Sequence, residues 1–122
     1  MAYLYAGTQK VTPVIIRDYQ TVTVSGATPT VSLENYTIYN AGTLTSLTIT
    51  LPSSNIPTDF IAQINFTSGS TPTVVNADGM KWFGDNINEN TGFIARANCE
   101  YSIMIYYSNS SFRGVIQGSS IS

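Results

Sequence analysis

Apolar side chains recur at every second position in several stretches of this chain, and nowhere is the three-to-four spacing of a helix sustained. Leu47, Ile49 and Leu51 fall on one side of an extended segment, with Thr48 and Thr50 on the other. Phe60, Ala62, Ile64 and Phe66 oppose Gln63 and Asn65, and Tyr101, Ile103, Ile105 and Tyr107 form a further stripe. Side chains on a strand alternate between its two faces, so such runs describe half-buried strands. Proline or glycine interrupts most longer segments, which removes the remaining room for helices.

This reading places strands at about 13–17, 21–25, 30–39, 43–51, 60–67, 73–76, 80–83, 93–95, 100–107 and 112–117. Turn formers separate them: Ser25-Gly26, Asn40-Ala41-Gly42, Pro52 to Pro57, Ser68-Gly69-Ser70, Asp78-Gly79 and Asn109-Ser110-Ser111. Asn and Gly accept the left-handed backbone of tight turns, and proline presets its own φ. Many short strands at such intervals predict an all-β domain, a compact antiparallel β-sandwich of jelly-roll-like form, with strand order left open. A chain of 122 residues is one domain by size. It divides into an N-terminal segment (1–20), a sandwich (21–118) and a frayed tail (119–122). The first segment, with Tyr3, Leu4, Tyr5, Val11, Val14, Ile15 and Ile16, lacks clean alternation. It either completes the local core or extends to dock on a neighbouring subunit or scaffold.

Charge narrows the function. Only 10% of residues are charged, against 43% hydrophobic, and the formal net charge is −2. Typical soluble domains carry about 25% charged residues. Here Ser, Thr and Asn supply the polarity, which fits either hydroxyl-covered exposed sheets or a surface that packs against copies of itself. Lys10, Arg17, Lys81, Arg96 and Arg113 are scattered, so no basic stripe exists to neutralise phosphates, and nucleic acid is not an expected partner. No apolar run has the roughly 20 residues of a membrane helix. The N-terminus has no positive region leading into a long apolar stretch, so it does not read as a secretory signal and synthesis in a cytoplasm is expected. Matches to Asn-x-Ser/Thr at Asn35, Asn65 and Asn109 carry little weight in so Asn- and Thr-rich a chain.

The chain contains no histidine and a single cysteine, Cys99. Nucleophilic catalysis needs a positioned base, most often histidine. Neither Lys10 nor Lys81 stands in a recognisable motif with a serine. Of the acids, Asp59 and Asp78 occupy turns, and Asp85 and Glu89 share one polar loop. That loop, Gly84 to Asn90, is rich in oxygen ligands but fails the calcium-loop pattern, with Ile87 third and Asn90 sixth from Asp85. No catalytic, cofactor or metal residues are therefore assigned. Cys99 reads as a small residue buried at the start of a strand. Trp82 with Asp85 and Asn86 has the composition of a glycan contact, because sugars stack on exposed aromatics. The competing reading puts Trp82 in the core. Tyr106 and Tyr107 are adjacent and must face opposite sides of a strand. With Tyr3 and Tyr5 they are candidate interface residues, since tyrosine is enriched there.

The order Ile49-Thr50-Leu51-Pro52, then Phe60 to Phe66 leading into Thr67-Ser68-Gly69-Ser70-Thr71-Pro72-Thr73, Gly79-Met80-Lys81-Trp82 with Gly84-Asp85, and Ala97-Asn98-Cys99-Glu100-Tyr101-Ser102-Ile103 resembles a β domain of tailed-bacteriophage structural proteins. Such domains occur in head-fibre and tail-fibre proteins, and the likeness spans Leu47 to Ile116. The opening Tyr5 to Ile15 is also similar to the start of small phage fibre proteins. The resemblance implies a non-enzymatic virion component, commonly a homotrimer, displayed on a capsid or tail beside other virion proteins, and it brings no ligand residues with it. The expected function is a structural or adhesive part of a phage particle (head fibre, tail fibre or capsid decoration), with a host-surface glycan as a further partner. The alternative is a monomeric carbohydrate-binding β-sandwich module.

Overall fold

The computed structural model describes residues 19–84, 87–89 and 92–120. The expected strand at 13–17, Tyr3, Tyr5, Asp85, Asn86 and the last two residues lie outside them. The described residues form eleven strands and no helix: β1 (Gln20–Val24), β2 (Thr30–Ser32), β3 (Thr37–Leu44), β4 (Ser46–Thr50), β5 (Ile61–Ser68), β6 (Val74–Asn76), β7 (Met80–Phe83), β8 (Ile87–Glu89), β9 (Gly92–Ile94), β10 (Cys99–Ser108) and β11 (Ser111–Ser120). They build a six-stranded sheet in the order β1-β3-β5-β10-β11-β7 and a five-stranded sheet in the order β2-β4-β6-β9-β8.

The fold is all-β, but its sheets are mixed rather than antiparallel. From β1 to β6 the chain alternates between the two sheets, so each consecutive pair of strands is one turn of a coil. The next turn lies beside the last in the same direction, and β1–β3, β3–β5, β2–β4 and β4–β6 are all parallel. The second half closes differently. The β10–β11 hairpin adds antiparallel to β5, β7 joins β11 in parallel, and β9 pairs antiparallel with both β6 and β8. Alternation records which face a side chain takes and is the same for either strand direction, so the crossover pattern was invisible in it.

Hydrogen bonds stack the corners of this coil. Only Thr45 separates β3 from β4. Its N–H donates to Ala27 O (2.8 Å) in the preceding turn, and its carbonyl accepts from Val74 N (3.1 Å) in the next. Thr73, fully buried at the same corner, donates its hydroxyl to Leu44 O (2.6 Å), and its own N–H reaches Ser68 Oγ (3.0 Å). A buried hydroxyl without a partner is costly, and here both polar groups of the threonine side of the corner are satisfied.

Three expected features take a different form. The segment 30–39 is not one strand: it breaks at Leu33–Tyr36, where Tyr36 adopts a left-handed φ of 55° and the chain passes between sheets. Asn40-Ala41-Gly42 is not a turn but lies inside β3. The pairing with β5 shifts from Asn40↔Asn65 to Thr43↔Thr67, so β3 carries one extra residue, a bulge that keeps both flanking ladders. Ladder bonds on both sides hold the segment extended. β11 also runs beyond 118, with Ser119 opposite Glu100 and Ser120 opposite Cys99.

Interior residues of both sheets join one buried cluster. Leu44, Leu47, Ile64, Met80, Ile103 and Ile105 are fully enclosed within it. Contact across the sheets is aromatic: Phe93 of β9 meets Trp82 of β7 edge-on at 5.0 Å between ring centroids and Tyr101 of β10 at 6.1 Å. Such pairs add about 0.5–1.5 kcal/mol each beyond the area they bury.

Candidate interaction surface

Trp82 is turned inward and is only 6% exposed. Its ring lies over Gly114 of β11, where an added Cβ would come within 2.9 Å of the indole. Its Nε1 has no hydrogen-bond partner among the described residues. The indole therefore offers no open face for a sugar to stack on, and the loop residues that would accompany it, Asp85 and Asn86, are outside the described set. Tyr107 also packs toward the interior, 4.9 Å from Phe112, whereas Tyr106 stands half-buried on the outer side of β10. The neighbouring tyrosines thus take opposite faces. Cys99 opens β10 as a half-buried free thiol near Ala97 O (3.5 Å).

The outer face of the six-stranded sheet is where exposed chemistry gathers. The register sets its side chains in bands that cross the strands. One band runs Ile38, Gln63, Met104, Val115 and Phe83. The band on the hairpin side is Ile61, Tyr106, Arg113 and Lys81. Phe83 is 43% exposed, and the Arg113 guanidinium sits 5.8 Å from its ring centroid while Nε donates to Ser108 O (3.3 Å). On the other flank lies an amide band of Asn40, Asn65, Ser102 and Gln117. Asn65 organises it: Nδ2 donates to Asn40 Oδ1 (2.9 Å), and Oδ1 accepts from Gln63 Nε2 (2.9 Å) and Ser102 Oγ (2.8 Å). Stacked amides one strand apart are a recurrent way for parallel neighbours to reinforce register. Alternation alone places Gln63 and Asn65 outward; it takes the strand order to show that Met104, Val115 and Phe83 join Ile38.

Surface clefts among the described residues include two on different parts of the molecule. One of about 350 Å³ is lined by Gly84, Arg96, Cys99, Tyr101 and the end of β11. The other, about 340 Å³, lies beside the five-stranded sheet and is lined by Thr48, Thr50, Asn76 and Asp78. Among the described residues, no group of three His, Cys, Asp or Glu side chains is placed to hold a metal ion, and no helix is long and apolar enough to cross a membrane. Asp59, one of the acids weighed above, is an acceptor for the Tyr36 hydroxyl (2.7 Å).

Comparison with known proteins adds no relative: the sequence matches no family model and no curated protein.

Proposed function

We propose that this chain is a non-enzymatic structural or adhesive component of a phage particle, a head fibre, tail fibre or capsid decoration, that works by self-association and surface contact. In this reading its two sheets form a sandwich whose first half coils, with a homotrimer as the expected assembly, inside a virion and beside other virion proteins. The observation that carries it is the half-exposed apolar band of Ile38, Met104, Val115 and Phe83 on an outer sheet face, in a molecule with few charges to keep copies apart. The phage setting is supported by the sequence resemblance, and the contact mechanism by the chemistry of the face. Light scattering at micromolar concentration is expected to return three times the chain mass. A clean monomer would remove the assembly reading.

A second reading, a monomeric carbohydrate-binding module, draws on the cleft at Thr48, Thr50, Asn76 and Asp78, whose hydroxyl, amide and carboxylate groups suit sugar hydroxyls. It predicts glycan-array binding by a monomer that is lost in Asn76→Ala and Asp78→Ala while the fold persists.

A further inference from the structure

The two outer faces of the molecule differ in kind. Outward positions of the five-stranded sheet are mainly hydroxyl and amide, Thr30, Ser32, Thr48, Thr50 and Asn76, with Val74 and Ile94 paired near one end. The six-stranded sheet is banded instead, its middle band apolar at Ile38, Met104, Val115 and Phe83 with Thr21 and Gln63 among them, and its described charges lie in bands to either side: Lys81 and Arg113 toward the hairpin and Glu100 toward the other end. With strands about 4.8 Å apart and a rise of about 3.4 Å per residue, this face measures roughly 25 Å by 30 Å. That is close to the roughly 800 Å² each partner contributes to a standard interface.

The banding also selects a symmetry. Rotation about an axis parallel to the strands leaves the height of every residue along the strands unchanged, so apolar band meets apolar band and amide band meets amide band. An axis across the strands can centre on one band only. If it centres on Met104, it sets the amide band, Asn65 and Ser102 included, against Ile61 and Tyr106 of the other copy, whereas the parallel axis leaves only Gln63 and Thr21 of the middle band facing apolar groups. We propose that further copies of this chain pack on the outer face of the six-stranded sheet about an axis parallel to its strands. This inference rests on the assembly reading above and names its surface.

Two measurements test it. In light scattering, Met104→Glu with Val115→Glu should lose the oligomer and run as a monomer with an unchanged far-ultraviolet spectrum, because both side chains point out of the core. Val74→Glu with Ile94→Glu, on the opposite face, should keep the wild-type mass. The second measurement uses short bismaleimide cross-linking of mixed, differently tagged chains in a Cys99→Ser background. Ile38→Cys should join Val115→Cys, its partner within one band, and fail to join Ser119→Cys, which lies at the far end of the face. An oligomer that survives the Met104/Val115 pair and is lost in the Val74/Ile94 pair overturns the face while leaving self-assembly standing. Cross-links to Ser119→Cys in place of Val115→Cys overturn the axis. A wild-type monomer overturns the assembly reading itself.

Discussion

Gly114 shows how much of this fold is decided by single atoms. It sits mid-strand in β11, between the Met80 and Trp82 side chains of its parallel neighbour. A Cβ at this position would lie 2.5 Å from Met80 Sδ and 2.9 Å from the Trp82 ring, far inside contact distance. The indole occupies the space a side chain would need, so the two residues are one packing unit. Gly114→Ala is expected to lower stability by about 1–3 kcal/mol, the usual cost of overfilling a packed site. The check is a urea midpoint that falls with unchanged slope. Glycine in a strand is easily taken for a flexible point; here it marks where an aromatic ring presses on backbone.

At the scale of elements, the break between β2 and β3 is tied by Tyr39. Its ring is in the core, its hydroxyl accepts from Glu34 N (2.9 Å) and donates to Ser32 O (3.1 Å), so one side chain clamps the corner where the chain changes sheets. Burial raises the Tyr39 pKa above its ordinary value, outweighing the hydrogen bond from the Glu34 backbone that lowers it, while the Glu34 charge raises it further. A raised folded-state pKa means that ionisation is harder in the folded state than in the unfolded one. The stabilising contribution is therefore complete below about pH 10, the unfolded tyrosine range, and is lost as pH rises through the folded value. Stability measured by denaturant from pH 8 to 11 should fall more steeply for the wild type than for Tyr39→Phe; parallel curves would deny the clamp its titration. This corner also shows what could be read beforehand. Faces were legible wherever alternation ran unbroken, as in Ala62, Ile64 and Phe66 or Tyr101, Ile103 and Ile105, all of which are buried. The break at Glu34-Asn35 was hidden because Leu33, Thr37 and Tyr39 keep the same parity through it. The bulge at Asn40-Ala41-Gly42 was read as a turn because turn residues and bulge residues are the same types. Of the candidate contacts, the opposite facing of Tyr106 and Tyr107 was deducible from adjacency, while the apolar band required strand order.

For the whole molecule, strand order brings together segments that are far apart in sequence. The long β10 lies between β5 and β11, so Ala62 meets Ile105 across a wide loop of sequence, and β7 pairs with β11 across all of β8 to β10. Loop-closure entropy must be overcome before such contacts stabilise anything, and folds of this kind refold in about milliseconds to seconds. Trp82 is the only tryptophan and is buried at the β7–β11 junction, so its fluorescence should report when that long-range pairing forms. Stopped-flow refolding is expected to show the indole signal arriving on that timescale; completion within microseconds would mean that the β7–β11 junction forms locally.

The coil has a consequence for size. Among the described residues, strand pairing links each turn from β1 to β6 to its neighbouring turn, and the closing half pairs with β5 and β6 of the last one. Duplicating the span from Thr37 to Phe60 would therefore insert another layer and move the first turn outward by one strand spacing, roughly 4.8 Å. Length in that direction is a modular property, adjustable by copying a segment while the closing half keeps every partner it has.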